Sequence, residues 1–343
     1  MTKKDEQPAQ QQRGGVGSQN IQIGTLITGP NPEEVRAIAQ RVFEENFSHL
    51  AAAAGEVAAA RAAEVRDEIV TKLADAGPES AHSFDQVEKQ IALLEAQKGY
   101  ALSGDEELRE HLVKLVIDIS TQPERSKKSI ILQEAIKVMP LLTSDQMRAV
   151  AAAFIVRFVH IAAPSLELLF GIWEKALSLN GRPLDVSAGD LRHLEYAGCG
   201  KITIGSITLS AVLKQEYPSL LGDGYSYDEL QDWFGEVGVP KAFLRYVDSG
   251  RFRPVFHNTG QVKGEFSEAQ IEKLRQLINQ RAGEISDSGI ASLFTAHSAS
   301  MHNLYSVWEK KLEHFDLTSV GIAVGHAVVC AAWPDIAPVD IWL

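Results

Sequence analysis

The first patterned stretch of the chain combines a strand with a very long helix. Polar and apolar side chains alternate along residues 18–29, which is typical of a half-buried β-strand. Residues 32–75 then carry apolar side chains at spacings of three and four, after an Asn31 N-cap and before Gly77. At 1.5 Å per residue this helix would be roughly 65 Å long, well above the average for a globular protein.

The predicted strand has no obvious partner nearby, since glycines weaken a hairpin with residues 13–18. Pairing with the same strand of a second copy would satisfy its backbone, and the long helix would then be an oligomeric stem. The alternative is that the helix lies across the core of its own chain. The apolar positions expected at a self-association contact are Ile21, Ile23, Ile27, Val35, Ile38 and Val42.

The middle of the chain predicts an antiparallel helical bundle with short loops. Thr143 and Gln146 have the spacing of a capping box, in which each side chain caps the backbone N–H of the other residue. Apolar periodicity predicts helices at 84–101, 105–119, 124–139, 143–161 and 166–179.

The pattern changes at Gly189, after which short strand and helix patterns alternate. Two alternating runs around Gly205 predict a β-hairpin over residues 201–209, and Ser210 is the expected N-cap of the next helix. Gly321 and Gly325 permit a close helix contact in the last helix. The other predicted segments are helices at 227–236, 240–248, 267–281, 300–314 and 318–333, and a strand at 253–258.

These patterns predict a mainly α protein with a long N-terminal stem helix, a helical bundle, and a small C-terminal α+β region with a β-hairpin. The polar first residues cannot form a core, so we expect them to be disordered. The expected divisions are a tail at 1–17, the strand and stem at 18–77, the bundle at 78–188 and the mixed region at 189–343.

Charge and cysteine content narrow the function classes. The net charge of -12 argues against general binding to DNA or RNA phosphates. Cys199 and Cys330 are the only cysteines, which excludes a disulfide framework and a multi-cysteine zinc site. The N-terminus lacks the apolar region of a signal peptide, and the apolar run at 320–333 is shorter than the about 20 residues that span a bilayer. We therefore expect a soluble cytoplasmic protein.

The densest polar cluster, Asp190 to Cys199, also contains His193 and Glu195. A Cys and a His could form a nucleophile pair or two metal ligands, and His326 from an apolar helix could join them in a hydrolase or nuclease. The alternative is structural. Cys199 would then be buried beside a tight turn, and His326 would be a core histidine bonded to a backbone carbonyl.

Arg245, Arg251 and Arg253 interleave with aromatic residues and could bind a phosphate or a single-stranded base. The alternative, favoured by the acidic balance of the chain, is a solvated edge with aromatic anchors. The histidines near the last helices do not share one helical face. The sequence therefore predicts no metal site and no cofactor.

Two motifs carry a family resemblance: residues 193–200 (His-Leu-Glu-Tyr-Ala-Gly-Cys-Gly) and 317–327 (Leu-Thr-Ser-Val-Gly-Ile-Ala-Val-Gly-His-Ala). With the N-terminal strand and helix and the last residues, 340–343, they resemble an uncharacterised bacterial family known only by paired locus-tag names. The family implies no activity. Residues 104–146 are similar to helical segments of abortive-infection-type proteins, an analogy that brings in phage defence.

We therefore expect a non-enzymatic, self-associating cytoplasmic scaffold or sensor, in phage defence or stress response. It would form a homo-oligomer and present a surface to a protein partner that the sequence does not identify. The alternatives are a hydrolase or nuclease, and a sensor of a nucleotide or other small anion.

Overall fold

The structure, a computed structural model, describes residues 52–73, 83–179, 181–241, 244–247, 250–254 and 267–343. The predicted tail, the N-terminal strand, the first part of the long helix and all six self-association positions lie outside the described residues. Residues 57–343 form one compact unit. The finer division at 188/189 stays a prediction.

The described residues are mainly helical, as predicted, and small antiparallel sheets accompany the helices. No described helix combines the length and the apolar character that crossing a bilayer requires. The helices are α1 (52–73), α2 (Val87–Ser103), α3 (Glu106–Ser120), α4 (Lys127–Val138), α5 (Ser144–Phe158), α6 (Leu166–Ala176), α7 (Ala188–Tyr196), α8 (Leu209–Glu216), α9 (Tyr227–Phe234), α10 (Glu268–Glu284), α11 (Asp287–His297), α12 (Ala299–Lys310) and α13 (Ser319–Ala332).

Side-chain caps set where these helices begin. The Thr143 hydroxyl accepts a hydrogen bond from the Gln146 N–H at 3.2 Å, and the Gln146 Oε1 accepts one from the Thr143 N–H at 3.1 Å. This confirms the predicted capping box at the start of α5. Thr318 caps the start of α13 with its hydroxyl alone, which accepts a hydrogen bond from the Gly321 N–H at 3.1 Å.

The strands are β1 (Gly200–Ile202), β2 (Tyr225–Ser226), β3 (Leu244–Val247), β4 (Arg251–Pro254) and β5 (Phe315–Leu317). β1 pairs with β5, and β4 lies between β2 and β3. β3 and β4 are antiparallel neighbours joined by a short connection, so the C-terminal region does contain a β-hairpin.

The β-hairpin predicted at residues 201–209 does not form, because its first strand pairs with a distant segment. β1 pairs with β5, so that Gly200 lies opposite Leu317. The second alternating run does not form a strand because Thr208 caps α8, accepting from the Ala211 N–H at 3.1 Å. The expected cap, Ser210, is a buried residue of that helix.

Two further predictions about the C-terminal region need correction. The helix expected at 240–248 contains β3 instead, because the Leu-Arg-Tyr-Val run suits a strand that pairs with β4. Helix α11 was not predicted, since its small and polar residues blur the apolar periodicity.

The core is built around α13, which packs along α5 and also contacts α3 and α4. Its glycines make the close approach possible. A Cβ at Gly325 would lie 2.7 Å from the Phe154 Cβ and 3.1 Å from the Val150 carbonyl oxygen. A Cβ at Gly321 would lie 1.8 Å from the Cys199 carbonyl oxygen. The predicted packing role of this glycine pair is confirmed.

The described part of the long helix lies on its own body. Val65, Ile69 and Leu73 of α1 are buried in the main core. The Arg61 guanidinium donates to the Ala101 carbonyl at 3.2 Å, and the Gln97 amide donates to the Ala62 carbonyl at 3.1 Å. For these residues the helix therefore follows the alternative in which it packs across its own chain.

Candidate functional site

His193 belongs to a polar tie between α7 and the start of α5. Its Nδ1 lies 3.0 Å from the Gln146 Oε1, which can only accept, so Nδ1 carries the proton. The Gln146 amide nitrogen donates to the Asp190 Oδ1 at 3.0 Å. Hydrogen bonds from Ser187, which caps α7, hold the pKa of Asp190 below its usual value. His193 and Asp190, two members of the predicted cluster, thus connect α7 to the start of α5.

Glu195 and Cys199 have structural partners as well. The Glu195 carboxylate accepts from the outward-facing Ile202 N–H of β1 at 3.2 Å. Cys199 is fully buried, and burial raises its thiol pKa to about 12. A thiol with that pKa remains protonated at neutral pH, which makes it a poor nucleophile.

The two motifs of the family resemblance meet through their backbones. The Thr318 N–H donates to the Cys199 carbonyl at 3.1 Å, and the Thr318 hydroxyl donates to the Gly198 carbonyl at 2.5 Å. The β1–β5 pairing and the contact between Gly321 and Cys199 complete the junction. This contact explains why small residues occur in both motifs.

His326 lies further along α13, and its side chain is fully buried in the core. Its Nε2 donates to the Ala337 carbonyl at 3.0 Å, and its ring lies 5.9 Å from the Phe154 ring and 5.7 Å from the Trp342 ring. Burial lowers the His326 pKa to about 4, although the bond to Ala337 acts in the opposite direction. The structure gives His326 and His193 separate partners. His326 matches the predicted core histidine bonded to a carbonyl.

The side chains that do surround His326 were not predicted. The Cys330 Sγ lies 3.6 Å from Nε2 and 3.8 Å from Nδ1, and the Asp118 Oδ2 lies 4.0 Å from Nδ1. Lys114 forms an ion pair with the other Asp118 oxygen. We call these four residues the His326 cluster. The four-residue spacing of His326 and Cys330 on one helix could have revealed their contact from sequence, but Asp118 comes from another helix.

Burial disfavours the charged forms of three members of the His326 cluster, namely His326, Asp118 and Cys330. It raises the pKa of Asp118 above its usual value and raises that of the Cys330 thiol to about 11. The Asp118 Oδ2 has no hydrogen-bond partner among the described residues. A neutral imidazole beside an intact thiol suits packing better than nucleophilic attack, which needs a thiolate.

A cavity of about 340 Å³ lies beside this cluster. Cys330 and Lys114 form part of its wall, together with Lys72, Glu68 and Glu110. Only 8% of Cys330 is exposed, so its thiol contacts the cavity without facing bulk solvent. A small molecule in this cavity could therefore reach the Cys330 side chain.

The arginine cluster lies on the β3–β4 hairpin. Arg251 donates to the Gly224 carbonyl from Nε at 3.2 Å and from Nη2 at 3.0 Å, and Arg253 donates to the Gly222 carbonyl at 2.7 Å. Burial lowers the pKa of Arg253. Arg245 is exposed on β3, opposite Arg253. Two of the three candidate anion ligands therefore hold the preceding glycine loop.

A second cavity, of about 420 Å³, lies between α9 and α10, beside β2. Tyr225, Trp233 and Arg281 line it together with three carboxylates. The Arg281 guanidinium already pairs with the Glu229 carboxylate at 3.2 Å and lies 5.3 Å from the centre of the Tyr225 ring. The remaining charges of this wall, Asp232 and Glu284, would repel a phosphate.

Among the described residues, no group of three or more His, Cys, Asp or Glu side chains has the geometry to hold a metal ion. A family model matches residues 29–343, and its family is an uncharacterised one named after a locus tag. No curated protein matches the chain. No solved structure matches it.

Proposed function

Since the chain belongs to an uncharacterised family named after a locus tag, which supplies no activity to transfer, we propose that it is a non-enzymatic, self-associating scaffold or sensor. It would act in the bacterial cytoplasm, in phage defence or stress response. Its N-terminal segment and its body would both take part in the assembly, and the body would also present a surface to a protein partner.

The observation that carries this proposal is an apolar stripe on the outer face of α2. The residues that we call the α2 stripe are Val87, Ile91, Leu94 and Leu102, which are 66%, 44%, 59% and 78% exposed. They recur at helical spacing on one side of a helix whose other side is buried. Such a regular apolar face on an exposed helix is typical of a helix that contacts another chain.

A second exposed surface supports the part of the proposal that concerns a partner. Every residue from 201 to 207 is exposed, and Ile204 is fully exposed in this segment. Tyr196 of α7, just before it, is 88% exposed. Exposed aromatic and branched apolar side chains next to the junction of the two motifs are the composition expected of a protein-binding surface.

The chemistry of the candidate catalytic residues supports the non-enzymatic part of the proposal. Both thiols have pKa values raised by burial, to about 12 for Cys199 and about 11 for Cys330. His193, Glu195 and His326 each bond a protein group that fixes a helix, a strand edge or the C-terminal turn. Each of these three side chains therefore has a structural contact, which supports a scaffold more than it supports proton transfer to a substrate.

The experiment is light scattering coupled to size-exclusion chromatography, on the full chain and on a variant lacking residues 1–51. This deletion keeps α1 from residue 52, because Val65, Ile69 and Leu73 belong to the core. We expect the full chain to be an oligomer and the shortened chain to be smaller but still folded by circular dichroism. A monomeric full chain would refute the proposal.

The second candidate is the hydrolase or nuclease, and one observation favours it. Cys330, which lines the 340 Å³ cavity, contacts the buried His326, and Asp118 lies beside the imidazole. A hydrolase of this kind would lose all activity in Cys330→Ser and His326→Gln while staying folded. Screening hydrolase and nuclease substrates with these two variants as blanks would decide it.

The third candidate, a nucleotide or small-anion sensor, depends on the exposed Arg245 and on the neighbouring Arg251 and Arg253. Its support is weaker, because Arg251 and Arg253 already bond glycine carbonyls. Thermal stabilisation by nucleotides that Arg245→Ala abolishes would favour it. The absence of any stabilisation by a nucleotide panel would count against it.

A further inference from the structure

We infer that a second copy of this chain docks on the α2 stripe, so that the two α2 helices pack antiparallel about a two-fold axis between Leu94 and Glu95. This inference rests on the proposed self-association and specifies one of its contacts. The axis, the pairing of side chains and the occupant all follow from the exposed positions of α2.

Two pairs of exposed positions, Val87 with Leu102 and Ile91 with Lys98, are symmetric about the middle of the helix. Val87 lies seven residues before Leu94, and Leu102 lies seven residues after Glu95. In an antiparallel pair related by a two-fold axis, each residue before the centre lies opposite the residue equally far beyond it. Val87 of one copy therefore contacts Leu102 of the other, and the two Leu94 side chains meet near the axis.

The same symmetry places Ile91 opposite Lys98. Lys98 is an exposed charged residue between Leu94 and Leu102 of the stripe, and its methylene groups can cover the Ile91 side chain of the other copy. Its ammonium group would then reach the Glu95 of that copy. Within one chain Lys98 already pairs with Glu95, at 3.7 Å, across an exposed edge. The charges of the helix are thus complementary to a second copy of the same helix.

Two exposed apolar side chains lie on elements that pack beside α2. The Gln133 amide of α4 donates to the Glu88 carbonyl at 3.3 Å, so the outer side of α4 flanks α2. Ile130, one turn before Gln133, is 50% exposed. Leu141, in the turn that packs on α2 beside Gly99, is 62% exposed. A helix pair with apolar flanks fits an isologous dimer contact better than it fits solvent.

The position of the axis can be tested with engineered cysteines in the full chain. The native cysteines are buried, so Leu94→Cys supplies the only exposed thiol. Two Leu94 positions beside the axis lie within reach of a disulfide, and mild oxidation should convert most of the protein to a covalent dimer. The matched control is Leu102→Cys, because its two copies would lie about 22 Å apart along the axis. The double variant Val87→Cys with Leu102→Cys should cross-link again.

Light scattering of the unmodified chain separates the possible failures. An oligomer in which Leu94→Cys does not cross-link, or in which Leu102→Cys cross-links equally well, would overturn this helix pairing and leave the proposed self-association standing. A monomer would overturn both. An oligomer with cross-links at Leu94 and at the Val87–Leu102 pair, and none at Leu102 alone, is the expected result.

Discussion

Gly321 packs directly on the backbone carbonyl of Cys199, which leaves no room for a side chain. A Cβ at residue 321 would lie 1.8 Å from that oxygen, a distance that no real Cβ contact reaches. This contact joins the start of α13 to the strand β1. The two motifs of the family resemblance therefore form one structural unit through their backbones.

The first prediction concerns this contact. Gly321→Ala should destabilise the protein by about 3 kcal/mol or more, because α13 must move away from Cys199. Urea denaturation followed by circular dichroism measures the change. The matched control is Gly171→Ala in α6, where a Cβ meets nothing within 4 Å. That change should stabilise the helix by up to about 1 kcal/mol. Equal stabilities for the two variants would contradict the packing.

The second prediction concerns His326 and pH. Its folded pKa of about 4 lies below the ordinary value of 6.5. The unfolded chain therefore binds the proton more readily, and the stability contributed by neutral His326 is lost as the pH falls from about 6.5 to about 4. The maximum loss is about 3 kcal/mol.

The comparison with His326→Gln isolates this contribution. His111, whose pKa burial also lowers to about 4, has the same sign, whereas Asp118, whose pKa is raised, acts in the opposite direction. Both remain in the variant. The free energy of unfolding should therefore fall less steeply between pH 6.5 and 4 in His326→Gln than in the natural chain. Identical pH profiles would show that His326 is not held neutral.

The third prediction concerns the order of thiol reactivity. Cys330 lines a cavity and is 8% exposed, whereas Cys199 is fully buried. A small alkylating reagent should therefore label Cys330 first in the folded protein. The rate should rise with pH up to about 11, without a plateau near neutrality, because the Cys330 pKa is raised to about 11. Mass spectrometry of the labelled peptides, with Cys330→Ser as the control, measures both. A plateau near pH 7 would instead indicate an activated thiol and favour the enzyme.

The fourth prediction concerns charge at the inferred α2 contact. Lys98→Glu places only carboxylates near the two-fold axis and should raise the dissociation constant of the dimer roughly tenfold. Adding Glu95→Lys restores opposite charges within and between the helices, so the affinity should return. Sedimentation equilibrium measures the constants. A double variant as weak as the single one would argue against the pairing.

Local structure could be predicted from the sequence where the interacting residues are close along the chain. The Thr143–Gln146 capping box and the helices of the bundle follow from spacings of three and four, and the structure confirms them. The C-terminal residues dock on the body, where the Trp342 indole donates to the Phe158 carbonyl at 2.8 Å.

Contacts between distant segments were not readable in the same way. The partner of β1 lies more than a hundred residues further on, and nothing in the alternating run at 201–209 indicates it. The neighbours of His326 show both cases, since Cys330 follows it by one helical turn whereas Asp118 comes from α3. Which faces stay exposed, as on α2, depends on packing that a single sequence does not display.

Native mass spectrometry of the full chain over a range of protein concentrations would show directly whether the chain associates with itself. We predict a dimer or a multiple of it at low micromolar concentration, shifting toward monomer in Leu94→Asp. A natural chain that stays monomeric throughout this range would contradict the proposed self-association.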